Sequence, residues 1–245
     1  MKILGVIPSR YSSSRFPGKP LIDLAGKSMI QRVYEGAIQC PSLDNVIVAT
    51  DDSRIFEHVE SFGGNVIMTS DQHESGTDRC GEVLSKFSDY DVIVNIQGDE
   101  PLVNPDQVEQ LIKAFKLEKV EIATLSIAVN EASELFNPNR IKVVSDANGN
   151  ALYFSRHALP FGANMSQEHW MDKFPYMRHI GLYAYRSQTL RKLVKLKPCT
   201  LERQESLEQL RWMYYGYKIH VVVTEIETPN IDTPEDVKQV VAMLS

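Results

Sequence analysis

Short β-branched runs alternating with amphipathic segments dominate the first half of this chain, and that rhythm leaves few folds open. The runs are Ile3 to Ile7, Val46 to Thr50, Asn65 to Met68, Val92 to Ile96 and Ile122 to Val129. Between them, Ser28 to Gln39 carries Met29, Ile30, Val33 and Ala37 on one face, with Ser28 placed as N-cap. Ser53 to Phe62 and Thr77 to Phe87 repeat the helical spacing, and Gly63-Gly64 ends the first of them. Strands this apolar are buried on both faces, so the spacing predicts a parallel sheet covered by helices through right-handed crossovers. The expected class is α/β: a Rossmann-like three-layer α/β/α arrangement with a mainly parallel central sheet.

From about Ile141 the rhythm becomes strand-rich, with Ile141 to Ser145, Ala151 to Ser155 and Arg178 to Tyr185 around an irregular stretch containing Trp170 and Pro175. This reads as a small antiparallel extension and a dimer surface. Helices fit Ser187 to Lys195 and Arg203 to Tyr214, followed by a strand at Ile219 to Val223 and a closing helix from Pro234. With no repeat and no low-complexity linker, residues 1–245 read as one domain: 1–135 as a first half, 136–200 as the extension, and 201–245 as closing helices and strand. The change near residues 130 to 140 is soft.

In parallel sheets of this kind ligands sit at the carboxyl ends of the strands. The segment after the first run is Pro8-Ser9-Arg10-Tyr11-Ser12-Ser13-Ser14-Arg15-Phe16-Pro17-Gly18-Lys19-Pro20, which carries three cations and is followed by no acid until Asp23. The whole chain has a net charge of −6, so the basic start is local. Arg10 and Arg15 offer planar forks of donors to phosphate oxygens and Lys19 a compact point charge, a set suited to a triphosphate. The plain alternative is a solvated Arg/Ser loop. The segment is neither G-x-G-x-x-G nor a P-loop.

Gln97-Gly98-Asp99-Glu100-Pro101 follows the most continuous run, which places Asp99 at the end of a buried strand where a carboxylate can hold a hard divalent cation. A triphosphate brings a need for Mg²⁺, which strengthens that reading over a simple Gly-Asp turn. In Asn230 to Asp236, helix-start chemistry accounts for Thr233, Pro234, Glu235 and Asp236 but leaves Asp232 over as a second carboxylate. Ser75-Gly76-Thr77 is a helix start able to offer hydroxyls and N–H groups to a base or phosphate, with capping as its plainer role. His179 lies on an alternating strand, where a hydrogen-bonded structural histidine is the default, and Glu208-Gln209 lies on what reads as a solvated helix face.

The acidic balance of the 245-residue chain argues against nucleic-acid binding, which asks for a basic face. Cys40, Cys80 and Cys199 form no disulfide or zinc pattern and read as buried thiols of a reducing compartment. The N-terminal run is too short for a signal region and no stretch approaches a membrane span, so the cytoplasm is expected.

An ordered set of motifs runs from Pro8 to Asp236: PSRYSSSRFPGKPL, ATDD, MTS…SGTDR, VNIQGDEP, FNPN…KVV, ALYFSR, RHIGLYAYR, LERQESLEQLR and DTPED. The set resembles the 3-deoxy-D-manno-octulosonate (KDO) cytidylyltransferases, also called CMP-KDO synthetases. The first motif and QGDEP are shared in looser form with sialic-acid cytidylyltransferases; FSR, RHIGLY and LEQLR point to the octulosonate branch. The resemblance implies transfer of CMP from CTP to KDO for the lipopolysaccharide inner core, with Mg²⁺ as cofactor and a homodimer as the assembly. It implies that Arg10, Arg15 and Lys19 hold the triphosphate, that Asp99 and Asp232 bind Mg²⁺, and that Pro8, Ser75, Gly76 and Thr77 read cytosine. The sugar acid falls to Gln97, Arg156, His179, Glu208 and Gln209. Ser28 stands where the family has Pro, and residues 161–175 match nothing well, which leaves an 8-amino analogue of the sugar open. A nonulosonic-acid transferase and a non-catalytic nucleotide sensor are the other readings carried forward.

Overall fold

The computed structural model describes residues 1–12, 16–231 and 233–244. The chain sorts into two compact units interleaved in sequence, residues 1–112 with 184–194 and 228–245 in the first, and 113–183 with 195–227 in the second. The junction falls at 112/113, whereas the sequence suggested a change near residues 130 to 140.

In the first unit, β1 (Ile3–Ser9), α1 (Met29–Ala37), β2 (Asn45–Thr50), α2 (Ser53–Ser61), β3 (Val66–Met68), α3 (Gly76–Lys86), β4 (Val92–Asn95) and α4 (Pro105–Lys113) follow the expected alternation. Three described pairings of these strands are parallel: β1 runs beside β2 with Leu4 opposite Asn45, and beside β4 with Ile3 opposite Val92, while β2 pairs β3; the short pair Asp23–Leu24 with Lys27–Ser28 is antiparallel and stands outside this sheet. Leu4, Val6, Ile7, Val48, Val92, Ile93 and Val94 are wholly buried, as strands covered on both faces must be. Ser28 caps α1 as expected, its Oγ accepting from Gln31 N at 3.2 Å. Helix α4 went unread in the sequence; Asn104 starts it, its Oδ1 accepting from Asp106 N at 2.8 Å. The C-terminal helix, Pro234–Leu244, starts with the Asp236 carboxylate reaching back to Thr233 N at 2.8 Å, the helix-start chemistry expected there.

In the second unit, β5 (Ile122–Ala128) pairs β9 (His220–Val223) in parallel, while β6 (Lys142–Ser145) pairs antiparallel with both β7 (Ala151–Ser155) and the Met177–Arg178 end of β8 (Met177–Arg186), a strand that belongs to this unit as far as Tyr183. The antiparallel extension is therefore present. The single helix expected over Arg203 to Tyr214 is instead two, Thr200–Glu205 and Gln209–Tyr214, broken by Ser206 in the left-handed region at φ 51°. The break has a partner: the Glu205 carboxylate accepts from Ser155 Oγ at 2.8 Å and from Arg156 N at 2.9 Å.

Candidate active site

The end of β1, the start of α3 and the turn after β4 together wall a cavity of about 240 Å³ in the first unit, among whose lining residues are Pro8, Arg10, Lys19, Ser75, Gln97 and Asp99. A parallel sheet brings the carboxyl ends of β1 and β4 to one edge, which is why two motifs ninety positions apart converge. Close contact between the two strand ends depends on Gly98, where a Cβ would stand 2.7 Å from the Pro8 carbonyl oxygen. The neighbour this glycine admits is the Pro8 backbone. At Gly76 an added Cβ would lie 3.4 Å from the Pro8 ring, so the helix start is set directly against the end of β1.

Lys19 is the electrostatic centre of this wall. Its ammonium donates to Asp99 Oδ2 at 2.8 Å and to the Ile231 carbonyl at 2.5 Å, and Ile231 N donates to the Asp99 carbonyl at 2.9 Å. One backbone position of the C-terminal segment thus grips both partners of the ion pair. Ile231 itself is fully buried with Leu24, Met29 and Val240, a small apolar core that seats the strap. Arg15 and Asp232, two of the expected site residues, lie outside the described residues.

Ser75 has the capping role: its Oγ accepts from Asp78 N at 3.1 Å, with Gly76 and the buried Thr77 following in the first turn of α3. Arg79, one turn on, is buried and donates to Asp51 Oδ2 at 2.8 Å and to Thr69 Oγ1, which fixes the helix start to the end of β2. His73 and Glu74 also line the cavity, and the sequence reading passed over both. The His73 ring nitrogen meets Glu82 Oε2 at 2.6 Å, and Glu82, held also by Ser70 N and Lys86, is pulled down to about 2 despite its partial burial. Only the SGTDR spacing, which makes the residues just before Ser75 face the same cavity, could have signalled them. Ser9 Oγ and Asn95 Oδ1, at the ends of β1 and β4, are buried with no partner among the described residues.

Of the residues assigned to the sugar acid, Gln97 lines this cavity, and the other four belong to the second unit. There the Arg156 guanidinium is engaged with backbone, donating from Nε to the Glu205 carbonyl at 2.6 Å and from Nη1 to the Pro138 carbonyl at 3.1 Å. His179 stacks edge-on to Phe154 and against Tyr183, and Tyr183 meets Trp212 in the helix that Gln209 begins. Glu208 bears on the Tyr183 hydroxyl electrostatically, so His179 and Glu208 share one aromatic neighbour. Gln209 is buried rather than part of a solvated face.

Burial pushes the His179 imidazole down to about 3, so it is neutral at every physiological pH. Its Nε2 lies 3.0 Å from Thr124 Oγ1, a hydroxyl that also reaches the Ile180 and Leu182 carbonyls at 3.1 and 2.9 Å. A base held neutral when folded and free to protonate when unfolded makes stability fall as pH drops below about 6.5, by about 1.4 kcal/mol per pH unit until the folded value is reached. His179→Gln is expected to flatten that slope between pH 6 and pH 4 in denaturant titrations. An unchanged slope would remove His179 from the acid limb.

A family model described as Cytidylyltransferase matches residues 4–219. The 3-deoxy-manno-octulosonate cytidylyltransferase of Parabacteroides distasonis is 51% identical over 100% of this chain and 99% of its own length, and that of Bacteroides thetaiotaomicron 51% identical over 97% and 96%. This chain belongs to the 3-deoxy-manno-octulosonate cytidylyltransferase family. A solved structure described as CMP:2-keto-3-deoxy-manno-octonic acid synthetase complexed with CTP superposes with a TM-score of 0.93 at 43% identity, covering 100% of this chain and 98% of that one. A 4-diphosphocytidyl-2C-methyl-D-erythritol synthase from Anaerococcus prevotii, at a TM-score of 0.65 and 14% identity over 99% of this chain and 96% of its own, shares the fold. Membership in the cytidylyltransferases carries the mostly parallel α/β architecture read from the sequence.

Proposed function

We propose that this chain transfers CMP from CTP to the anomeric hydroxyl of 3-deoxy-D-manno-octulosonate, releasing pyrophosphate and activating the sugar for the lipopolysaccharide inner core. The observation that carries the reading is the Lys19–Asp99 pair at 2.8 Å on the wall of a cavity bounded by a basic loop and a helix start. Arg10, Arg15 and Lys19 hold the triphosphate, and Pro8 with Ser75, Gly76 and Thr77 reads cytosine. Gln97, Arg156, His179, Glu208 and Gln209 are assigned to the sugar acid. Arg156 keeps a second N–H on each of Nη1 and Nη2 beyond its bonds to backbone carbonyls, donors with which to take the carboxylate.

The site chemistry fits a hard cation. Asp99 Oδ2 is on Lys19, and Oδ1 has no partner among the described residues. No group of three or more His, Cys, Asp or Glu side chains able to hold a metal occurs among the described residues. Mg²⁺ suits such a sparse site, because it takes one or two carboxylates and completes its shell with phosphate oxygens and water. Asp99 and Asp232 would hold it; when bound it neutralises phosphate charge and acidifies the attacking hydroxyl. The hydroxyl oxygen forms the new bond to the α-phosphorus as the α–β bridging P–O bond breaks, its proton passing to solvent. Lys19 and the arginines stabilise charge on the departing pyrophosphate, so the protein contributes by positioning and electrostatics, without a covalent intermediate.

The exposed rings of Phe161 and Phe136 on the buried Trp170, and of Phe174 on the buried Tyr176, support a homodimer through the second unit. A cytoplasmic, reducing location agrees with three free, buried cysteines. Among the described residues no helix is long and apolar enough to cross a membrane.

The test is pyrophosphate release from CTP and Mg²⁺ with 3-deoxy-D-manno-octulosonate, its 8-amino analogue and N-acetylneuraminate in parallel. Release with the octulosonate is expected. Release with N-acetylneuraminate alone would move the chain to the nonulosonic acids, and CTP binding without release from any acceptor would make it a sensor.

A further inference from the structure

The ATDD motif ends β2 and starts α2, and its second acid does more than cap. Asp52 accepts from Arg54 N at 3.0 Å, and its carboxylate also takes Arg54 Nε at 2.9 Å and Nη2 at 2.6 Å. That pair of hydrogen bonds fixes the plane of a guanidinium whose side chain is otherwise more than half exposed. The guanidinium carbon stands 3.3 Å from the centroid of the Tyr11 ring. The same ring lies against Gly18, where a Cβ would stand 3.1 Å from Tyr11 Oη and 3.2 Å from Cζ, on a backbone at φ +74°. Gly18 N donates to the Tyr11 carbonyl at 3.0 Å, which closes the two ends of the basic segment on each other. Arg10 precedes Tyr11, and Lys19 follows Gly18.

An exposed Arg–Asp pair two positions apart adds little to folding. Here it has another consequence. We propose that Arg54 and Tyr11 are positioning residues for the triphosphate: the Asp52-fixed guanidinium holds the Tyr11 ring, the ring holds Gly18, and Arg10 and Lys19 are thereby set on the cavity before CTP arrives. Ordering the cations in advance removes that cost from nucleotide binding. The inference rests on the reading that Arg10 and Lys19 take the triphosphate. It explains why the chain has tyrosine among serines after Arg10, and why a glycine must precede Lys19.

The experiment measures the CTP Kd by calorimetry, and KM for CTP, KM for the sugar and kcat by pyrophosphate release, on the full chain. Tyr11→Ala is expected to raise the CTP Kd and KM about tenfold with kcat within about twofold and the sugar KM unchanged. Tyr11→Phe, which keeps the ring, is expected to stay within about twofold of the parent. Arg54→Ala and Arg54→Lys are both expected to raise the CTP KM about threefold, because an ammonium cannot replace the planar, fork-held stack. The Tyr11→Ala, Arg54→Ala double variant is expected to be no worse than Tyr11→Ala alone, since both remove one device. Additive effects, a Tyr11→Phe defect equal to that of Tyr11→Ala, or unaltered CTP binding in Tyr11→Ala would each overturn the proposal. Lys19→Ala in the same series separates it from the reading beneath it: intact CTP binding there would sink the triphosphate assignment, whereas loss there with a normal Tyr11→Ala would sink only the staple.

Discussion

Asp99→Asn is expected to lower kcat about a thousandfold at saturating CTP and sugar, the size found when one preorganised charge is removed from a reacting centre. The substitution is nearly isosteric. It leaves Lys19 with the Ile231 carbonyl as a partner at 2.5 Å, so the loop keeps its anchor. The ion pair is partly exposed and its loss costs about 1 kcal/mol of stability at most. Activity and folding should therefore separate: pyrophosphate release collapses while the thermal midpoint moves by a few degrees. A kcat within tenfold of the parent would show that the reaction does not need this carboxylate.

The second large effect concerns stability. Lys142 is fully buried, and its ammonium donates to the carbonyls of Asn137, Arg140 and Arg156 at 2.8, 2.6 and 2.8 Å. Burial pushes it down to about 8, which leaves it charged at neutral pH with its three donors in use. It ties the FNPN segment to the residue after β7 and so fixes the backbone from which Arg156 projects. Lys142→Met keeps the volume and removes every donor, leaving three carbonyls turned toward an apolar side chain. The expected cost is about 3 kcal/mol, or roughly 6 to 12 °C in a chain of this length. A thermal shift under about 2 °C would mean that water takes over the three carbonyls and that the lysine is not the tie.

Lys142 also shows where sequence reading stops. In KVV it occupies a strand position that alternation would send to solvent, and nothing local reveals three carbonyls converging on it. The strands of the first unit were legible because apolar β-branched runs covered on both faces have few alternatives, and Ser28 was legible because capping is local. The convergence of the basic loop with QGDEP followed from parallel topology alone. What escaped depends on distant partners: the break at Ser206, where Glu205 turns to Ser155 and Arg156, and Gly98, whose crowding neighbour is the Pro8 carbonyl. His73 and Glu74 escaped because a cavity-lining role leaves no periodic trace.

The Ile231 strap sets an order of assembly. A ribosome delivers Arg10, Lys19 and Asp99 early, in the portion that forms the parallel strands, yet the carbonyl that completes the grip on Lys19 comes from residue 231. Until that segment emerges and Ile231 seats beside Leu24 and Met29, the nascent chain holds Lys19 without the carbonyl that aims it. Nucleotide affinity should thus arise late in synthesis. A protease that clips the polypeptide just before Ile231 should silence the enzyme while leaving its β-sheet standing.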